Sequence, residues 1–364
     1  MKVLIQHRHG TEISGVSTYV NFLLPELNAL DIKSRIVSTR EDTLIKWVKG
    51  IAWCDVVHMN SNHFGFIILC KILAKKVVVK YHFPFYKTTH SEYEKYSFSE
   101  RIKRELKALL PKNSQPLKWK LFALLNYMRL GIRVGTAYIA DYHIACSEFM
   151  AKSLDFPWPV GVLYNPIPLL HSNSKELGNL EDPLTFTFVG RLSGDKGVDI
   201  LLEAAAKVKK MHSTFKVCIV GSGTSIASLK ELAKKLDLEE QVTFKGRLAQ
   251  AELLPIMKRS VALIVPSRIQ DPAPYVVMEA SSVKTCSIVS ASGGLPEIAT
   301  PSGFTFARED IDALAQILIY ALQHPEEMLN RGQQAYEYTA QNFSPSLTAR
   351  QLVDLCKDLY PVKG

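Results

Sequence analysis

The 364-residue chain is 47% hydrophobic and 22% charged, which excludes a disordered or fibrous chain and leaves length for two domains that each bury a core. It has no apolar run of about eighteen residues, the minimum for a membrane-spanning helix. Its formal charge of +9 is uneven: residues 1–170 hold 23 Lys and Arg against 13 Asp and Glu, and the remainder holds 21 against 22.

The opening MKVLIQHRHG reads as a short apolar strand followed by charge, not as a signal peptide. Val3, Leu4 and Ile5 are that strand, and from Gly15 the apolar residues Val16, Tyr19, Val20, Leu23, Leu24 and Leu27 recur at helical period. One further strand ends at Val37, and others cover Asp55–Met59 and Val77–Lys80, with helices over Thr43–Lys49 and His63–Lys75 between them. This alternation predicts a doubly wound parallel sheet, whose ligands gather at the C-terminal ends of its strands. His58 and His82 sit at two such ends. An imidazole there could share a proton or hydrogen-bond a hydroxyl, and packing beneath a loop is the alternative, weightier for His58.

From Tyr86 to Arg133 the chain turns aromatic and basic, with Tyr93, Tyr96, Phe98, Trp119, Phe122 and Tyr127 among Lys95, Arg101, Lys103, Arg104, Lys107, Lys112, Lys118, Lys120 and Arg129. Phe98–Leu110 and Leu117–Val134 can form helices with one cationic and one apolar side. That is the composition of interfacial helices on anionic lipid, and two surface helices with their basic sides outward are the alternative. Peripheral membrane contact through residues 98–134 is therefore expected. No RNA-binding aromatic signature or zinc-finger spacing accompanies the basic charge, so nucleic acid is not expected as a partner.

A strand over Asp141–Ala145, a helix capped by Ser147 and a strand over Val160–Leu163 complete the first half. Asn165-Pro166-Ile167-Pro168 ends it, and the polar run from His171 reads as an interdomain linker. In the second half, strands Thr185–Val189, Lys216–Val220, Val242–Lys245, Ala262–Val265 and Ser287–Ser290 alternate with helices Val198–Met211, Ser225–Leu236, Gln250–Lys258 and Tyr275–Val283. Three helices, Ile311–Gln323, Pro325–Asn342 and Pro345–Leu359, close the chain. The turn Val220-Gly221-Ser222-Gly223 lacks the full dinucleotide spacing, and GDKG around Lys196 lacks the Walker spacing. The six cysteines are scattered without a CxxC pair, which argues against zinc or a disulfide framework and for a reducing, cytoplasmic setting.

Two stretches carry chemistry. FVGRLSGDKGVDILLEA, from Phe188, sets Arg191 and Lys196 at a strand-end turn, and PSRIQDPAPYVVMEA, from Pro266, sets the carboxylates Asp271 and Glu279 in a proline-broken loop that runs into a helix. Cations that can hold a pyrophosphate and acids that can read hydroxyls together suit a sugar nucleotide. Gly190-Arg191, Lys196-Gly197, the Asp271 and Glu279 pair, and Gly293-Gly294-Leu295-Pro296-Glu297 follow in the order and spacing of a known family. They resemble the C-terminal domain of the family 4 retaining glycosyltransferases of GT-B fold. The resemblance is strongest over residues 184–345 and weaker over 1–83 and 141–168.

The resemblance implies an α/β architecture of two Rossmann-like doubly wound parallel-sheet domains facing across a cleft. An acceptor-binding domain would cover residues 1–168, with 345–364 packing back on it, and a nucleotide-sugar-binding domain would cover 169–344. Arg191 and Lys196 would then neutralise the departing diphosphate, so neither metal nor cofactor is expected. Glu279, read as lying at its helix start, would hold the ribose hydroxyls with help from the helix dipole. Asp271, where the family carries Glu, would contact the donor sugar beside Ala273, Pro274, Tyr275 and Val276. Prolines 272 and 274 leave only Ala273 and Tyr275 as backbone donors there. Phe244, Gly246 and Arg247 would lie against the nucleobase, with Gly221 also in the donor site. His82 would stand beside sugar and acceptor. Gly15 follows HRHGTEIS, which resembles the family's N-terminal glycine loop with Ser14 in place of its first glycine.

The expected activity is metal-independent, retaining transfer of a sugar from a nucleoside diphosphate donor, uridine-linked, to a saccharide or lipid-linked acceptor in envelope or exopolysaccharide assembly. The site would be cytoplasmic, peripheral on the inner face of the plasma membrane. A GT-B sugar-nucleotide epimerase and a catalytically degenerate sugar-nucleotide-binding protein are the alternatives.

Overall fold

The computed structural model describes residues 1–8, 15–86, 96–110, 117–169, 175, 178 and 180–359. The glycine-loop residues 9–14, Tyr93, Lys95, Lys112 and linker residues 171–174 lie outside them, as do the side chains of Trp119 and Lys120. The chain divides into two units, Met1–Pro166 with Pro345–Gly364, and Ile167–Ser344.

The first unit runs β1 (Lys2–His7), α1 (Gly15–Ala29), β2 (Lys33–Ser38), α2 (Leu44–Trp53), β3 (Val56–Met59), α3 (Phe64–Ile72), β4 (Lys76–Tyr81), α4 (Phe98–Leu109), α5 (Leu117–Ile139), β5 (Tyr142–Ala145), α6 (Glu148–Leu154) and β6 (Val160–Val162). Its strands form a parallel sheet in the order β2-β1-β3-β4-β5-β6. The expected cap is present: Ser147 Oγ accepts the Met150 amide at 3.1 Å and starts α6. The helical spacing read from Gly15 puts Val16, Tyr19, Val20, Leu23 and Leu27 in the interior.

The second unit runs β7 (Thr185–Val189), α7 (Val198–Lys209), β8 (Lys216–Val220), α8 (Ile226–Lys235), β9 (Val242–Gly246), α9 (Gln250–Arg259), β10 (Ala262–Val265), α10 (Tyr275–Ser282), β11 (Cys286–Ser290), α11 (Leu295–Ala299), β12 (Phe304–Phe306), α12 (Ile311–Gln323) and α13 (Pro325–Asn342). Its parallel sheet has the order β12-β11-β10-β7-β8-β9. The last helix, α14 (Pro345–Leu359), belongs to the first unit, where Ala349, Leu352 and Val353 join Val20, Leu23 and Leu27 over Val3, Ile5 and Val56. Burial of the valine, leucine and isoleucine side chains, at about 1.5–3 kcal/mol each, is what holds a helix from the far end of the chain against α1.

Three features depart from the expectation. The strand β12 and helix α11 were not expected; at three and five residues they are too short to show a period. Helix α5 runs on to Ile139, beyond Val134. The helices of the basic stretch do not share one arrangement: α4 buries Arg101 and Glu105 and exposes Lys103, Arg104 and Lys107, whereas α5 turns apolar side chains outward. All six cysteines are buried, and none is in a disulfide.

Candidate active site

The second sheet is wound outward from β7, first through β8 to β9 and then, after a crossover, through β10 and β11 to β12. The C-terminal ends of β7 and β10 therefore flank the topological switch point, where a crevice opens because successive connections leave in opposite directions. Arg191 and Lys196 lie in the turn after β7, and Asp271 lies in the loop after β10. Lys196 Nζ meets Asp271 Oδ2 at 2.8 Å, with both side chains partly exposed. Arg191 Nη2 meets Asp195 Oδ2 at 2.9 Å, and Arg191 Nε donates to Ser193 Oγ at 3.1 Å. Burial lifts the Asp195 carboxyl, but hydrogen bonds from Ser193 and Arg191 outweigh it and hold it below the usual range. Both cations thus rest on a carboxylate.

A residue absent from the sequence reading holds these loops together. Arg268 grips Asp199 through two nitrogens at 2.8 and 2.7 Å, donates to the Gly194 carbonyl at 2.7 Å and reaches Glu309 at 2.9 Å. Its own amide donates to the Asp195 carbonyl at 2.9 Å. One fork thereby fastens the loop after β10 to the turn after β7 and to the start of α7. Gly197 permits the approach: at φ 68°, a Cβ there would lie 1.9 Å from the Pro266 carbonyl oxygen. The Gly294 amide donates to the Asp271 carbonyl at 2.8 Å, so the GGLPE segment supports the same loop.

Glu279 corrects the expectation that it lies at the helix start. It is the fifth residue of α10, half-buried, and burial pushes its carboxyl up from the ordinary value. The helix dipole does not govern it. It has no ion-pair or side-chain hydrogen-bond partner among the described residues. Its carboxylate therefore stands on the helix that follows the β10 loop, desolvated and open to an outside hydrogen-bond donor. Ala273, Tyr275 and Val276 are half-buried between Asp271 and Glu279, and Pro274 precedes α10 without any side-chain cap.

Gly221, at φ 145°, is required by backbone approach, since its Cβ would fall 1.8 Å from the Gly190 carbonyl oxygen. Its amide donates to the Gly246 carbonyl at 2.8 Å, joining the ends of β8 and β9. Phe244 packs against the core of the unit, and Arg247 is exposed.

In the first unit, His82 follows β4 and is buried; its Nε2 contacts Asn60 Oδ1 at 2.9 Å, and its Nδ1 has no partner among the described residues. Burial, then the nearby Lys80 and His58, hold it well below the ordinary imidazole value. A neutral His82 can donate or accept a hydrogen bond but is a poor acid at neutral pH. His58 bonds the Tyr19 hydroxyl at 3.0 Å and is held down to about 3 by burial and then Lys80, which fits the packing reading. Lys80 lies 3.6 Å from the centre of the Tyr19 ring. Gly15 is the exposed first residue of α1.

Residues 171–338 match the family described as Glycosyl transferases group 1. The glycogen synthase of Mycobacterium tuberculosis is 29% identical over 163 residues, 44% of this chain and 39% of that protein. The GDP-mannose-dependent monoacylated alpha-(1-6)-phosphatidylinositol monomannoside mannosyltransferase of Corynebacterium glutamicum is 29% identical over 158 residues, 42% of this chain and 41% of that protein. The chain thus spans about two-fifths of the length of these relatives. Anabaena HepE, solved in complex with UDP, shares the fold with a TM-score of 0.71 at 16% identity, over 98% of this chain and 100% of its own. The chain has the GT-B fold of two Rossmann-like domains, and the match to the glycosyltransferase family lies in the second of them.

Proposed function

We propose that the protein is a retaining, metal-independent glycosyltransferase that moves a sugar from a nucleoside diphosphate donor, uridine-linked, to a saccharide or lipid-linked acceptor in envelope or exopolysaccharide assembly. The observation that carries this is the meeting of Lys196 and Asp271 at 2.8 Å across the β7 and β10 switch point, with Glu279 half-buried and partnerless on the following helix. The UDP complex of the Anabaena neighbour supports a uridine donor, while the GDP-mannose-dependent relative shows that base choice varies among relatives.

On this reading the donor diphosphate exchanges with Asp195 and Asp271 for Arg191 and Lys196. The exchange costs little, because an exposed ion pair contributes only about 0–1 kcal/mol. The two cations then hold the charge that grows on the leaving diphosphate, and the acceptor hydroxyl passes its proton to that phosphate. His82, neutral, orients a sugar or acceptor hydroxyl in the first unit, and residues 98–134 bring the protein to the inner face of an anionic membrane. Turnover of a panel of nucleoside diphosphate sugars, read as released nucleotide with and without acceptor, tests the reading. Nucleotide binding without turnover of any donor would contradict it, and a changed sugar nucleotide without acceptor would identify an epimerase.

Glu279→Gln should weaken UDP binding about ten- to a hundredfold, the loss of charged hydrogen bonds to a diol. By calorimetry the variant should no longer distinguish UDP from its 2′,3′-dideoxy analogue. The same change should raise the melting temperature slightly at neutral pH. A carboxyl whose pKa is raised on folding loses stability as pH rises through that value, and the amide does not.

A further inference from the structure

The first half of α5 presents an unusual outer face. Leu121, Leu124, Leu125, Met128 and Ile132 are 58%, 57%, 43%, 58% and 39% exposed. At 100° per residue they fall within about a 100° arc, a stripe about 16 Å long. The opposite side carries the buried Ala123, Asn126 and Leu130, so the helix is seated with its more apolar side outward. Such a stripe is larger than the scattered apolar residues of an ordinary surface.

Its borders are cationic. Lys118 and Arg129 are exposed along one edge of the stripe. Helix α4 lies beside α5, joined by the Tyr127 hydroxyl donating to the Leu106 carbonyl at 2.9 Å, and it exposes Lys103, Arg104 and Lys107. The two helices divide the work that one amphipathic helix usually does, apolar on α5 and cationic on α4.

We propose that this face seats on an anionic bilayer, with the α5 stripe entering the acyl boundary and the α4 cations resting on lipid phosphates. This rests on the membrane-facing part of the function proposed above, not on its chemistry. A bilayer offers apolar depth beneath an anionic plane, and the two adjoining helices expose the two chemistries that match it, apolar on α5 and cationic on α4. A second copy fits less well: burying the stripe on itself about a twofold axis would bring the two sets of Lys103, Arg104 and Lys107 together.

The test uses the full chain and vesicles that contain no acceptor. The parent protein should float with phosphatidylcholine vesicles that contain phosphatidylglycerol, less so at raised salt. Leu121→Ser, Leu125→Ser and Met128→Ser together should lower partitioning at least tenfold with UDP affinity unchanged. Lys103→Gln, Arg104→Gln and Lys107→Gln together should remove the preference for phosphatidylglycerol and the salt dependence. In a separate Leu125→Trp variant, emission at that position should shift to the blue on vesicle addition. Undiminished flotation of the serine variant, failure of the parent to float, or a stripe whose loss only converts a dimer to a monomer or releases a protein partner would overturn the proposal. UDP affinity, read on the same samples, reports separately on the proposed enzymatic site.

Discussion

Lys196→Ala is expected to lower turnover at least a hundredfold while leaving the fold intact. Removing one preorganised group that meets developing charge costs about 3–4 kcal/mol of transition-state stabilisation. The native state loses much less, since the pair with Asp271 is partly exposed on both sides and such pairs contribute at most about 1 kcal/mol. The effect should fall on kcat more than on KM, because the diphosphate carries more charge as the glycosidic bond breaks. Lys196→Arg should recover part of the rate, since charge is kept and only reach and geometry change. Asp271→Asn separates the two halves of the pair: it frees the Lys196 ammonium, so UDP should bind more tightly even as transfer slows. If Lys196→Ala changed KM alone, the lysine would be a uniform binding contact and the catalytic role assigned to it would be wrong.

The second large effect concerns Lys80, which neither the sequence reading nor the proposed chemistry assigned. It is fully buried at the end of β4, its Nζ has no hydrogen-bond partner among the described residues, and burial lowers it from 10.5 to about 7. The Tyr19 ring face is its main compensation. A base whose pKa falls on folding makes the unfolded chain hold more protons between the two values, so stability rises with pH from about 7 to 10.5 and the burial cost is greatest below that window. Lys80→Met keeps the stem and removes the charge. It should stabilise the first unit by about 2–5 kcal/mol at pH values below 7 and flatten the rise above it. Lys175, lowered to about 7 by burial although it donates to Ser260 and Thr285, should keep a comparable rise in the second unit. Urea titrations followed across that pH range check both statements; an unchanged or lower midpoint for Lys80→Met in mildly acidic buffer would contradict them.

What the sequence made legible follows from range. The strands Thr185–Val189, Lys216–Val220 and Ala262–Val265 and the three closing helices have the bounds read from apolar runs and caps, because those are local signals. The pairing of Lys196 with Asp271 was not legible, since 75 residues separate them and only the crossover to β10 makes the turns neighbours. Arg268 went unnoticed for the same reason: an arginine after a strand looks solvated until Asp199 and Gly194 come to meet it. Glu279 was placed too near the start of α10, and its burial depends on packing that no spacing reveals. In α4 and α5, amphipathic periodicity was visible but not direction. Whether an apolar side faces the core or the solvent is decided by neighbours such as the buried Arg101 and Asn126.

The account stands most directly on where a nucleoside diphosphate lies, and a crystal structure of the protein grown with UDP measures that. It should place a diphosphate oxygen about 3 Å from Lys196 Nζ, with the pair to Asp271 opened, and the ribose hydroxyls against Glu279. Nucleotide bound away from the ends of β7 and β10, with Lys196 still on Asp271, would contradict it.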